Sequence, residues 1–193
     1  MSADIIVHKI YTAEEYFELE ALTQERIEFV DGKIYVMPGE NLTNVKISQN
    51  SFIALKSMLD KNDCETYIFN AKTITKKSRK YRYPDVVVTC APEEDDRFIQ
   101  NPCLCVEVLS ESTEGVDRGV KLREYCAMPS MRHYLLISSE EPSAQLYSRI
   151  AESDSWQVSF FDGLDESIPL QYFDCQLSMS DIYKKVTFGE TKS

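Results

Sequence analysis

Two acids interrupt runs that are otherwise apolar. Asp85 opens Asp85-Val86-Val87-Val88, and Glu107 lies inside Leu104-Cys105-Val106-Glu107-Val108-Leu109. An ionised carboxylate in a buried strand is costly unless it is paired, hydrogen-bonded or bound to a cation. The intervening segment, 91–101, is polar and centred near Asp96. An antiparallel hairpin about that centre sets residues whose numbers sum to 192 opposite one another, and so brings Asp85 against Glu107. Directly opposed Cβ atoms lie about 4.5–5.5 Å apart. Like charges that close need a bridging divalent cation, a shared proton, or a cationic cap from Arg82 or Lys80. Oxygen ligands in that number suit Mg²⁺ or Mn²⁺, which take one or two carboxylates and keep several waters.

Two further residues fit the same chemistry. Glu28 breaks the apolar strand Ile27-Glu28-Phe29-Val30, a pattern that also fits an exposed position on an edge strand. Lys121 follows Asp117 and precedes Tyr125 at four-residue steps, so the three share a helix face. By spacing alone, the lysine equally fits a surface ion pair with Asp117.

Charge narrows the partners. The 193 residues carry 32 acids against 21 bases, a net charge of −11 that repels nucleic acid and anionic membrane unless a local positive patch intervenes. One such patch is present, because 66–84 holds no acid but contains Lys72, Lys76, Lys77, Arg79, Lys80 and Arg82. It reads either as a solvated loop between strands or as a grip on backbone phosphates. The six cysteines, Cys64, Cys90, Cys103, Cys105, Cys126 and Cys175, form no CxxC pair, and the only histidines are His8 and His133. That pattern argues against a zinc site and for buried free thiols, with Cys103 and Cys105 on one strand face. No nucleophilic triad or Gly-rich phosphate loop is visible.

The elements that must position these residues are an α/β mixture. Thr12-Ala13-Glu14-Glu15 is a capping box opening a helix to about Leu22. Strands at 26–30 and 33–37 flank the hairpin turn Asp31-Gly32. Helical spacing of Val45, Phe52, Leu55 and Leu59 predicts a helix over 44–59. Strand patterns follow at 64–74, 83–90 and 102–109, then a short helix at 117–127 stopped by Pro129. Further strands are expected at 132–138, 144–150, 156–161 and 167–170, and a terminal helix at 177–186 capped by Ser178 or Ser180. The length suits one domain, 1–188, with a frayed tail at 189–193. No apolar run approaches the ~18 residues that span a bilayer. The N-terminus lacks a cationic start leading into a long apolar stretch, so a cytoplasmic protein is expected.

Together these motifs, in this order, resemble the PD-(D/E)XK nuclease superfamily and, more narrowly, the Uma two family of restriction endonucleases. The resemblance rests on Arg26 through Lys33, Tyr83 through Val88, Val106 through Ser110, Asp117 through Tyr125, and His133 through Ile137. It implies a restriction-endonuclease-like core, a central mixed β-sheet flanked by helices. Asp85 then matches the metal-binding aspartate, Glu107 the second acid, and Glu28 the early glutamate completing a site for Mg²⁺ (or Mn²⁺). Lys121 matches a downstream catalytic lysine. Departures are Leu109, where the superfamily places a lysine two residues after the second acid, and Asn44, where the family often has histidine. Leu135 and Ser138 stand where tryptophan and aspartate are common. The implied activity is metal-dependent hydrolysis of DNA phosphodiesters. A homodimer is expected, because one domain cuts both strands of a duplex most easily as a symmetric pair. The alternative is a catalytically degenerate fold that binds nucleic acid or self-associates.

Overall fold

The computed structural model describes residues 9–37, 39–76, 80–110, 113–151 and 153–188; the expected tail at 189–193 lies outside them. A six-stranded sheet forms the centre, in the order β10 (Trp156–Asp162), β9 (Ser143–Arg149), β8 (His133–Ser138), β7 (Pro102–Leu109), β6 (Val86–Thr89) and β3 (Glu65–Ile68). Only β7 and β8 run parallel; their neighbours are antiparallel, so the sheet is mixed. A parallel step requires a crossover. The chain supplies it with a continuous helical segment: α3 (Glu114–Val116), a π-helical turn (Asp117–Lys121) and α4 (Leu122–Cys126).

Strand alternation decides which face each side chain meets. Leu104, Val106 and Val108 of β7 pack with Ile47, Leu55 and Leu59 of α2 (Leu42–Leu59). Cys105 and Leu109 turn the other way, into a cluster with Tyr125, Met131 and Tyr134 under the crossover helix. Glu107 shares the parity of Cys105 and Leu109, so its carboxylate faces the crossover helix that carries Lys121.

A second, four-stranded antiparallel sheet has the order β2 (Lys33–Val36), β1 (Ile27–Val30), β5 (Lys80–Arg82), β4 (Thr73–Lys76). The helix α1 (Ala13–Leu22) closes it, with Tyr16 stacked on Phe29 and Tyr81 at ring separations of 5.3 Å. Its capping box forms as the sequence predicts. The β1–β2 turn has positive φ at both Asp31 (48°) and Gly32 (86°), the geometry that favours Asp-Gly in hairpins. A Cβ on Gly32 would lie 2.6 Å from Ile10 Cγ2. Among the described residues, no helix is long and apolar enough to cross a membrane.

Several expectations need correction. The strand expected over 64–74 is two strands in different sheets, separated where Phe69 takes the left-handed conformation (φ 60°). The strand expected over 83–90 begins at Val86, because Tyr83-Pro84-Asp85 carries the chain from the small sheet to the central one. The crossover helix starts at Glu114 rather than Asp117. The terminal helix is only α5 (Met179–Ile182), because 175–178 instead forms β12 (Cys175–Ser178) on β11 (Ser167–Leu170). There Leu177 pairs with Ile168 and both are fully buried, an apolar contact that outweighs helical spacing.

The cysteines are not all free thiols. The register Glu65↔Thr89 places Cys64 opposite Cys90, and the two form a disulfide with Cα atoms 4.0 Å apart. Cys103 lies in the opposite cluster from Cys105, beside a register shift between Val88 and Thr89, with its sulfur 3.3 Å from that of Cys90.

Candidate active site

The hairpin of β6 and β7 pairs Val86 with Val106, Val87 with Cys105 and Val88 with Leu104, each pair summing to 192. One step beyond β6, Asp85 Oδ2 accepts a hydrogen bond of 2.7 Å from the Val108 N–H. Asp85 is 8% exposed and Glu107 3%, so both carboxylates are held out of bulk water. From the crossover helix comes Lys121, 6% exposed, with Nζ 3.0 Å from Glu107 Oε1, 2.9 Å from Asp117 Oδ1 and 3.9 Å from Glu28 Oε1. The Lys121–Asp117 pair that spacing suggested is thus present, but it is buried and it points at the acids.

Electrostatics follow from that crowding. Burial above all pushes Glu107 well above the usual carboxylate range, against the pull of Lys121. Burial opposes the charge on Lys121, yet the carboxylates of Glu107, Asp117 and Glu28 outweigh it and raise its pKa. The lysine is therefore a fixed cation. Asp85 is pushed up to about 7, chiefly by burial and then by the Glu40 carboxylate.

Glu28 plays a different part from the one its strand position suggested. Arg82 Nη1 lies 2.7 Å from Glu28 Oε2, and the Tyr83 N–H donates to Oε1 at 3.2 Å. Arg82 also grips Glu124, with Nε 2.9 Å from Oε2 and Nη2 3.1 Å from Oε1. This buried network stands behind Lys121 and fixes β1, β5 and α4 together.

The basic segment requires a correction. Lys72 pairs with Glu20 and lies over the ring of Phe17 at 4.8 Å. Lys80 pairs with Glu124 at 2.7 Å and Asp31 at 3.3 Å. Lys72 and Arg82 are buried and Lys80 half-buried, and all three are matched to carboxylates rather than free for a phosphate backbone. Lys76 ends β4, while Lys77 and Arg79 lie outside the described residues. The partners Glu20 and Glu124 gave no motif of their own. Only the three-residue step from Lys121 to Glu124 hinted that α4 presents a charged face.

Asp85, Glu107, Asp117, Lys121, Glu40 and Asn44 line one cavity of about 190 Å³. Glu28 and Arg82 do not. That volume accommodates an ion with several waters, since one water needs roughly 10–15 Å³ of such space. Among the described residues, no three His, Cys, Asp or Glu side chains converge as a ready-made cage. The acids facing the cavity nevertheless offer oxygen. Two carboxylates with the remaining positions filled by water is the arrangement Mg²⁺ favours. The residues fit a hydrated divalent ion on Asp85 and Glu107.

The raised Asp85 carboxyl sets a pH dependence of stability. Between the ordinary carboxylate value near 4 and about 7, the folded protein holds a proton that the unfolded chain has released. The resulting stability is complete below the unfolded value and is lost as pH rises through about 7, with a slope of at most ~1.4 kcal/mol per pH unit. Metal-free melting temperature is therefore expected to fall from about pH 5 to about pH 8, and less steeply in Asp85→Asn. Equal slopes in thermal melts of the two proteins would contradict the burial of an ionisable Asp85.

The Uma2 family model, described as "putative restriction endonuclease", matches residues 13–180. "Uncharacterized protein slr1290" of Synechocystis sp. is 35% identical over 177 residues, covering 91% of this chain and 92% of that one. "Uncharacterized protein sll1609" of the same organism is 27% identical over 171 residues, covering 85% and 94%. A crystal structure from Anabaena variabilis, described as a "putative nuclease belonging to DUF820", shares the fold with a TM-score of 0.71 at 20% identity, over 91% of this chain and 99% of that one. The family match covers most of the sequence. The chain belongs to the Uma2 family, described as "putative restriction endonuclease".

Proposed function

We propose that this chain hydrolyses DNA phosphodiester bonds with the help of Mg²⁺ or Mn²⁺. The observation that carries the reading is the convergence of Asp85, Glu107 and the Lys121 ammonium on one water-accessible cavity. Restriction-endonuclease-like proteins generally use divalent metals, and this donor set suits one. A bound ion would polarise the scissile phosphate and lower the pKa of a water.

The remaining work falls to the chain itself. Asp85, one residue before β6, and Glu107 on β7 would hold the ion, and the Val108 N–H fixes the Asp85 carboxylate against β7. Lys121 stands where negative charge builds on the phosphate in the transition state, already charged and already oriented by Glu107 and Asp117. It supplies from a helix the ammonium that Leu109 cannot supply from the strand. Tyr125 Oη donates to the same oxygen, Glu107 Oε1, at 3.4 Å. The first turn of α2, with Asn41 and Asn44 on the cavity wall, adds the positive end of an 18-residue helix for an incoming phosphate. A net charge of −11 keeps non-specific attraction to DNA low, so recognition depends on this local site.

The test uses isosteric variants. Asp85→Asn and Glu107→Gln are each expected to lower metal-dependent cleavage of plasmid DNA by at least ~100-fold while melting as cooperatively as the parent. Cleavage by either variant at the parental rate would show that the site lies elsewhere.

A further inference from the structure

Few buried polar side-chain atoms among the described residues lack a hydrogen bond, and three of them are oxygens of residues on the wall of this one cavity: Glu40 Oε2, Asn44 Oδ1 and Asp117 Oδ1. Asp117 Oδ1 is ion-paired with Lys121 Nζ at 2.9 Å, which leaves Glu40 Oε2 and Asn44 Oδ1. Leaving such an atom unmatched costs about 1–3 kcal/mol. Each is free for an identifiable reason. Arg26 Nη2 takes only Glu40 Oε1, at 2.8 Å, which leaves Oε2 open. Asn44 donates through Nδ2 to the Val108 carbonyl at 3.5 Å, which makes Oδ1 the unused end of the amide. Asn44 is 3% exposed, so bulk water does not satisfy it. Both atoms are acceptors and need a cation or a water proton.

We propose that Glu40, not Glu28, is the third acid serving the ion, and that Glu40 Oε2 and Asn44 Oδ1 each accept a hydrogen bond from a water in its hydration shell. Glu28 does not line the cavity, and its oxygens are turned to Arg82 and the Tyr83 N–H. The inference rests on the metal-dependent reading above and adds residues that neither strand pattern nor helix periodicity marked. Glu40 lies in the loop before α2, where no repeating spacing exists to signal it.

Calorimetric titration of Mn²⁺ into the full chain separates the possibilities without relying on activity. Glu40→Gln is expected to weaken Mn²⁺ binding by about 10–100-fold, and Asn44→Ala by a smaller factor. Glu28→Gln is expected to leave affinity within about twofold of the parent, even if it melts lower. Arg26→Met is the control for the Arg26–Glu40 pair: it breaks the same contact but leaves the carboxylate, so binding is retained or tightened. Parental affinity in Glu40→Gln, with binding still lost in Asp85→Asn, would overturn the assignment of Glu40 and leave the metal-dependent reading standing. Equal weakening in Arg26→Met and Glu40→Gln would overturn it as well, because the loop anchor alone would then explain the loss. No Mn²⁺ binding by the parent, with or without DNA, would remove both readings together.

Discussion

Replacing Lys121 with methionine is expected to slow DNA cleavage by about 10²–10³-fold and, at the same time, to tighten Mn²⁺ binding. The two effects have one origin. The ammonium lies 3.0 Å from Glu107 Oε1 and 2.9 Å from Asp117 Oδ1, so it neutralises the carboxylates that an ion would otherwise use. Removing it withdraws a preorganised charge from the transition state and relieves competition for the acids. Without metal, the variant leaves buried carboxylates uncompensated, which costs about 3–5 kcal/mol. Added Mn²⁺ then raises its melting temperature by more than it raises the parent's. A lysine with a purely structural role predicts otherwise: lower stability, no gain in metal affinity, and cleavage restored once metal refolds the protein. Melting curves and single-turnover cleavage, each measured across a Mn²⁺ series, distinguish the two.

Arg82→Met should be among the most destabilising single substitutions in the chain, at about 3–5 kcal/mol. One guanidinium holds Glu28 at 2.7 Å and Glu124 at 2.9 and 3.1 Å, all within the protein. Its loss strands two buried acids, although Lys80 at 2.7 Å from Glu124 and the Tyr83 N–H on Glu28 soften the effect. The reverse test is a triple change, Arg82→Met with Glu28→Gln and Glu124→Gln, which should recover most of the loss because no unpaired charge remains. Urea denaturation gives both numbers. If Arg82 were instead a surface phosphate contact, Arg82→Met would leave stability within about 0.5 kcal/mol and would weaken DNA binding directly.

The site was legible in the sequence to the extent that its residues broke a local rule. Asp85 and Glu107 stood out because acids are expensive in apolar strands, and the polar centre of the intervening loop gave their register. Lys121 and Asp117 stood out because their spacing put them on one face of a helix. The hairpin at Asp31-Gly32 and the capping box at Thr12 were equally readable, since each depends on chemistry within four residues. What could not be read depends on contacts distant in sequence. Lys72 and Arg82 resemble a solvent-facing basic stretch until their acids are known, and those acids, Glu20, Glu28 and Glu124, are 42 to 54 residues away. The assignment of β3 and β4 to different sheets turns on one left-handed residue, Phe69, whose side chain gives no such warning. β12 formed where helical spacing was also satisfied, and burial of Leu177 against Ile168 decided between them.

Cleavage of supercoiled plasmid DNA by the unaltered chain, with Mg²⁺ or Mn²⁺ and then with excess chelator, tests the central claim most directly. The account predicts nicked or linear product with either ion and none with chelator, because Asp85 and Glu107 can act on a phosphate only through a bound cation. Intact plasmid in both ions, from protein shown to be folded, would contradict a DNA hydrolase. Equal cleavage with chelator present would contradict the metal.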